Sequence, residues 1–274
     1  MINLYRLKEF RLPITAECVN PDVFQGKTHE ELEGLKVWEG NKQKELADLF
    51  KIEEVKAESH PESAVITIQG NVGKVRRIGF QMKNGEIVVN GDVGMHLGEQ
   101  MKGGTITVHG NVGSWAGSMM RGGTIEIHGN AGDYLGAPYR GSTEGLHGGR
   151  LIVHGNVGNE IGAHMKKGLI KIYGSAGQFL GFRMRDGTIY VENDCGGRAG
   201  ACMKDGKIVV GGRIDSVLPT FTIDSVRAKV KIEEGNIIEG PLYVFLGDLA
   251  EHGNGKLYVS KEKNPHLGCY GKFL

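Results

Sequence analysis

Glycine recurs in register along the middle of this chain. Six copies of one motif lie at Gly70-Asn71-Val72-Gly73, Gly91-Asp92-Val93-Gly94, Gly110-Asn111-Val112-Gly113, Gly129-Asn130-Ala131-Gly132, Gly155-Asn156-Val157-Gly158 and Gly174-Ser175-Ala176-Gly177, and a degenerate seventh is Asn193-Asp194-Cys195-Gly196. Their starts are 21, 19, 19, 26, 19 and 19 residues apart. A fixed period of this length marks a repeat protein, in which each unit buries its apolar face against its neighbours.

Each copy carries further order. Apolar triplets such as Ile66-Thr67-Ile68, Ile106-Thr107-Val108, Ile170-Lys171-Ile172 and Ile208-Val209-Val210 precede the motif. Alternation puts their first and third side chains on one face of a strand. A second glycine follows (Gly79, Gly98, Gly117, Gly136, Gly162, Gly181, Gly200), then a methionine and a base at Met82-Lys83, Met101-Lys102, Met120-Arg121, Met165-Lys166, Met184-Arg185 and Met203-Lys204. Nineteen residues have a contour of about 60 Å at roughly 3.3 Å per residue, enough for several short strands joined by corners. Corners need positive φ or close backbone approach, and glycine supplies either with least steric cost. Asparagine there fits because it tolerates left-handed backbone and hydrogen-bonds its local chain. Asp92, Asp133 and Asp194 are explained by the same local bonding.

The expected fold is therefore mainly β: a right-handed parallel β-helix of about seven to eight coils over residues 63–212. Inward Ile, Val and Met ladders form its core. Residues 1–62 leave the period and are expected to be an N-terminal extension or cap. Within them Thr28-His29-Glu30-Glu31 has capping-box form, Gly34 ends a short helix, and Lys42 to Phe50 is expected to be helical or irregular. Residues 213–274 are expected to be a C-terminal cap or partner-binding arm, with strands at Ala228–Ile232 and Leu242–Leu246.

Composition narrows the function. The chain has 45 glycines but 7 prolines in 274 residues, without the Gly-X-Y period of collagen. Its 33 basic and 32 acidic residues nearly cancel, so no global field points to nucleic acid or a membrane surface. The N-terminus has no signal-peptide pattern, no apolar run is long enough for a membrane span, and Cys18, Cys195, Cys202 and Cys269 form no C-x-x-C pair. They read as free thiols in a reducing cytoplasm.

The fourth coil is seven residues longer than its neighbours. Tyr139-Arg140-Gly141 matches the Met-base-Gly of the other coils, which makes Ser142–Gly148 the extra piece. Insertions in repeat proteins collect on one face, often the binding face. Stacking would align Lys83, Lys102, Arg121, Arg140, Lys166, Arg185 and Lys204 at about 4.8 Å spacing. Two explanations suit such a row: a solvated edge eased by acidic neighbours such as Asp186 and Asp205, or a docking stripe for an acidic partner. The residues expected at a partner interface are these seven together with Ser142, Glu144 and His147. His109, His128 and His154 would stack as an outer imidazole column. One straight column converges poorly on a tetrahedral ion, so it reads as an exposed ladder. No G-x-S-x-G, H-E-x-x-H or cysteine cluster is present, and no catalytic or cofactor-binding residue is expected in this chain.

The repeat resembles the glycine-rich β-helix domain at the C-terminus of the glutamate synthase large subunit. It is more similar to the C subunits of formylmethanofuran dehydrogenases. Three stretches carry this: Pro21-Asp22-Val23-Phe24-Gln25-Gly26-Lys27, Ser114-Trp115-Ala116-Gly117-Ser118-Met119-Met120-Arg121-Gly122-Gly123, and Gly132-Asp133-Tyr134-Leu135-Gly136 with Tyr139-Arg140-Gly141. The resemblance implies a non-catalytic scaffold in a complex that reduces carbon dioxide and formylates methanofuran, the first step of methanogenesis. It implies partners of the pterin formate-dehydrogenase type and the amidohydrolase type, with ferredoxin-like subunits indirectly. Molybdenum or tungsten pterin, iron–sulfur clusters and zinc would sit in those other subunits. The alternatives are an ammonia-channel-type β-helix subunit of a glutamate synthase, or the equivalent subunit of a formyltransferase/hydrolase complex.

Overall fold

The computed structural model describes residues 1–55 and 64–274. Along the chain come β1 (Ile2–Arg6), β2 (Ile14–Thr15), α1 (Pro21–Phe24), α2 (His29–Glu33), β3 (Lys36–Glu39), β4 (Lys42–Glu45) and β5 (Phe50–Glu54). The repeat strands follow: β6 (Val65–Gln69), β7 (Val75–Arg76), β8 (Glu86–Asn90), β9 (Thr105–Val108), β10 (Thr124–Ile127), β11 (Arg150–Val153), β12 (Leu169–Ile172), β13 (Thr188–Val191) and β14 (Lys207–Val210). A hairpin of β15 (Thr222–Glu233) and β16 (Asn236–Gly247) and a last strand, β17 (Gly255–Ser260), complete the chain. The protein is mainly β, with one large sheet whose central run is parallel. The expected boundary between residues 62 and 63 lies outside the described residues.

β-branched residues at alternate positions favour short strands. β6 and β8 to β14 pair parallel in sequence order, each one repeat from the next, with Ile66 opposite Ile87, Ile87 opposite Ile106, and so on to Ile189 opposite Ile208. The long fourth repeat leaves this register intact, since Ile125 still faces Leu151. A second line of parallel bridges joins Val72, Val93, Val112, Ala131 and Val157, and then Ala176, Cys195 and Ile214. The inward Ile, Leu and Val residues and the methionines Met82, Met101, Met120, Met165, Met184 and Met203 are buried, as the periodicity predicts.

Close approach, more than backbone handedness, explains the motif glycines. A Cβ on Gly129 would lie 2.5 Å from Gly110 O, and one on Gly155 2.6 Å from Gly129 O. Asn71 makes the expected local bond, its Oδ1 accepting from Gly73 N at 2.9 Å, whereas the following motif asparagines act between repeats. Asn111 Oδ1 accepts from Asn130 N at 2.9 Å, Asn130 Oδ1 from Asn156 N at 2.8 Å, and Asn156 Oδ1 from Ser175 N at 2.8 Å. Asp92, Asp133 and Asp194 do the same for Asn111, Asn159 and Arg213. The reason is the stacking distance: the nearest orphan N–H to each side chain belongs to the next layer.

Both flanks extend the parallel run by one strand and then reverse. β1 pairs parallel with β6 and antiparallel with β5, while β17 pairs parallel with β14 and antiparallel with β16. α2 has the expected Thr28 capping box and Gly34 end. Lys42 to Phe50 departs from expectation: β4 pairs with β3 there, ahead of a single turn at Leu46–Asp48. The expected strands at 228–232 and 242–246 are parts of β15 and β16. This hairpin turns at Gly235, where φ is +73°, and lies over the outer face of the last repeats. Val230, Ile232 and Leu242 pack there on Tyr190 and Val209. Arg150 Nη1 meets Glu233 Oε2 at 2.6 Å near the hairpin tip. Hence β12 to β14 are buried on both faces while β6 and β8 to β11 alternate. Among the described residues, no helix is long and apolar enough to cross a membrane.

Candidate partner-docking face

Each repeat puts a non-glycine residue in left-handed backbone just before the second glycine. These residues are Arg77, His96, Trp115, Tyr134, Glu160, Phe179 and Arg198, with φ of 62, 63, 61, 64, 56, 59 and 65°. Left-handed backbone costs about 1–2 kcal/mol for such residues. Hydrogen bonds between layers hold it, as where Trp115 N donates to Asp133 O at 2.9 Å and Tyr134 N to Asn159 O at 2.9 Å. Stacking one repeat apart brings the rings together: His96 and Trp115 lie 5.4 Å apart at 4°, and Trp115 and Tyr134 4.6 Å apart at 12°. Sequence reasoning missed this row, because its members vary from Arg to Trp. The available signal was position, two residues before each second glycine.

The fourth-repeat insertion lies beside these rings, and its boundaries differ from those expected. Leu146, fully buried, fills the methionine position, whereas Tyr139 is 47% exposed. His147 N donates to Met120 O at 2.8 Å and Lys166 N to Leu146 O at 2.7 Å, the bonds that Arg121 and Lys204 make in their own repeats. The extra residues are therefore Pro138 to Glu144. Arg140 belongs to the insertion, and His147 takes its expected place in the basic row. The cause is burial: the leucine side chain matches the methionine pocket, and the tyrosine hydroxyl has no partner there. Tyr139 packs instead against His96 and Trp115, at ring separations of 5.5 and 6.2 Å. A cleft of about 240 Å³ opens beneath it, lined by Trp115, Tyr134, Tyr139, Arg140, Glu160 and Phe182 among others. Glu160 beside it, together with burial, raises the Tyr134 phenol above its ordinary range.

The remaining interface candidates follow the register. Lys83, Lys102, Arg121 and Arg185 are exposed in line, and Lys166 is half-buried. Lys166 Nζ meets Glu144 Oε1 at 2.5 Å, and Glu144 Oε2 meets His147 Nε2 at 2.6 Å. Both partners hold the Glu144 carboxyl below its usual range, Lys166 first. Ser142 Oγ accepts from Glu144 N at 3.1 Å and shapes that turn. Lys204 Nζ meets Glu251 Oε2 at 3.0 Å. Asp186 and Asp205 do not neutralise the adjacent bases; each caps the following glycine N–H, at 2.6 and 2.7 Å. Lys83, Lys102, Arg121, Arg140 and Arg185 form no ion pair among the described residues. A second pocket joins His164, Arg183, Arg185, Cys202 and Lys204 with Glu251, the partner of Lys204. Burial, then Arg183, Arg185 and Lys166, lower the His164 imidazole below its ordinary value of 6.5.

On another face the imidazole column forms as expected. His109 and His128 stack at 4.9 Å, and His128 and His154 at 4.8 Å. Glu126, on β10, reaches in from the side of the column, with Oε1 2.8 Å from His154 Nε2. The four cysteines are free, and burial pushes the Cys18 and Cys195 thiols up to about 12.

No family model matches the chain. It is 47% identical over 262 residues to the C subunit of the tungsten-containing formylmethanofuran dehydrogenase 2 of Methanococcus maripaludis, covering 93% of this chain and 95% of that protein. It is 45% identical over 89 residues to the C subunit of the molybdenum-containing formylmethanofuran dehydrogenase 1 of Methanothermobacter marburgensis. That match covers 32% of this chain and spans about a fifth, 21%, of the relative's length. A chain in the crystal structure of the formyltransferase/hydrolase complex from Methylorubrum extorquens, in complex with methylofuran, superposes with a TM-score of 0.84 at 29% identity, over 94% of this chain and 99% of that one. With the near full-length match to the Methanococcus protein, the chain belongs to the family of formylmethanofuran dehydrogenase C subunits.

Proposed function

We propose that this chain is the non-catalytic scaffold subunit of a formylmethanofuran dehydrogenase complex, which reduces carbon dioxide and formylates methanofuran. It holds together subunits of the pterin formate-dehydrogenase type and the amidohydrolase type, and ferredoxin-like subunits reach it indirectly. Those subunits carry the molybdenum or tungsten pterin, the iron–sulfur clusters and the zinc. The observation that carries this reading is the 47% identity to a formylmethanofuran dehydrogenase C subunit over 93% of the chain. The close superposition on one chain of a multi-subunit formyltransferase/hydrolase complex supports it. That second match also favours a second reading, in which the chain serves the equivalent place in a hydrolytic complex.

The repeats wind as a right-handed parallel β-helix over residues 63–212. The in-register parallel strands support this, since nearly all connections between parallel strands of one sheet are right-handed. Residues 1–62 and 213–274 act as end caps, because each segment adds one strand and then turns the sheet edge antiparallel. The docking face combines Lys83, Lys102, Arg121, Lys166, Arg185 and Lys204 with the insertion residues Arg140, Ser142 and Glu144 and with His147. The bases without an ion pair (Lys83, Lys102, Arg121, Arg140 and Arg185) and the exposed Tyr139 ring suit an acidic partner surface with an apolar anchor. The test is the double variant Arg121→Glu, Arg185→Glu in the assembled complex. We expect subunit association to weaken, and more so at low salt, where the native pairing is strongest. Unchanged co-purification would remove the basic row from the interface. Formyl-group turnover by the purified chain alone would overturn the scaffold reading.

A further inference from the structure

The imidazole column and its neighbouring carboxylate have no part in the docking face. We propose that Glu126, His128 and His154 form a surface site for one divalent transition-metal ion of the zinc class. Their ligand atoms lie within 4.8 Å of one another. A straight column alone converges poorly, and the sheet removes that objection. Glu126 projects outward from β10, His128 follows the last residue of that strand, Ile127, and His154 follows Val153, the residue of β11 that pairs with Ile127. The three ligands therefore come from one strand and the corners that follow two adjacent strands, and they form a triangle in place of the expected line.

The chemistry of the donors fits. Two neutral imidazoles and one carboxylate suit zinc, with nitrogen at about 2.0–2.1 Å, oxygen at a similar distance, and a fourth position left for water. Such bonds put the donor atoms about 3.3 Å apart, so the most separated donors, within 4.8 Å of one another, must close by up to about 1.5 Å, while the 2.8 Å contact between Glu126 and His154 opens slightly. The terminal imidazole torsion is broad, which allows this at low cost. Glu126 Oε1 already faces His154 Nε2 at 2.8 Å; the His128 and His154 rings are stacked at 5°, so one of them must turn out of the stack for both nitrogen lone pairs to meet one ion. Among the described residues no lysine or arginine pairs with this carboxylate, and Arg150, the outward base on β11, pairs with Glu233 at 2.6 Å. Lys171, on β12, points its ammonium over the Tyr173 ring at 4.9 Å and lies 3.9 Å from Glu233.

The test is calorimetric titration of the purified full-length chain with Zn²⁺ after chelator treatment, with Co²⁺ absorption as a second probe. We expect one equivalent bound with micromolar affinity and intense visible bands from four-coordinate cobalt. His128→Gln and Glu126→Gln should each weaken binding by about tenfold or more. His109→Gln, one layer along the same column but outside the triangle, should leave it within about threefold. All of these side chains are at the surface, and unchanged thermal unfolding would establish that the variants fold. The proposal fails if no stoichiometric site is found. It fails equally if Glu126→Gln binds like the parent, or if His109→Gln loses as much as His128→Gln.

Discussion

At the scale of single residues, two kinds of constraint keep the layers together. A Cβ on Gly103 would sit 2.3 Å from Lys83 O, a backbone atom that cannot move without shifting a whole layer. Gly268 meets nothing within 4 Å and needs no left-handed backbone. Chemical denaturation should therefore find Gly103→Ala destabilised by about 1–3 kcal/mol and Gly268→Ala nearly neutral. Titration adds a second residue-level test at His164. Burial and the bases Arg183, Arg185 and Lys166 favour its neutral form in the folded state. The unfolded chain thus binds the proton first as pH falls. The stabilising contribution is complete above about 6.5 and declines as pH drops through the lower folded-state value. Melting temperatures of His164→Gln against the parent should show a shallower loss below that pH. Parallel curves would contradict the assignment.

At the scale of elements, the insertion is where sequence and structure part. If Leu146 occupies the methionine position, Leu146→Ala should cost about 2–5 kcal/mol and Tyr139→Ala about 1 kcal/mol or less. The reverse order, read from urea midpoints, would restore the alignment through Tyr139-Arg140-Gly141. The strands were legible because Ile and Val at alternate positions, repeated every 19 residues, state both conformation and register. The methionine ladder was legible for the same reason. The insertion was misplaced because a tyrosine beside an arginine imitates the local pattern, and only burial tells it from leucine beside histidine. Stretch 42–50 was misread because Lys42-Gln43-Lys44-Glu45 has no strand-like alternation, and its pairing with β3 is tertiary. The row of left-handed side chains was legible by position alone and not by residue type, since φ leaves no fixed residue type when hydrogen bonds between layers hold it. Glu126 escaped notice as a partner of the histidine column because its approach depends on which strand lies beside which.

At the scale of the whole molecule, near-neutral net charge conceals a local field. Thirty-three bases balance 32 acids, yet five aligned or neighbouring bases lack an ion-pair partner among the described residues. An uncompensated row of like charges is mildly unfavourable in a free chain and favourable against an acidic surface. Sheet ends that turn antiparallel, a hairpin laid over the final strands and a ring-lined cleft at the insertion all fit a protein whose flank is meant to be covered. The most direct test is native mass spectrometry of material purified from its source through a tag on this chain, with metal analysis of the same sample. The account predicts co-elution with a molybdenum- or tungsten-containing pterin subunit and an amidohydrolase-type subunit in fixed ratio. A chain that elutes alone, with neither partner bound at any salt concentration, would contradict it.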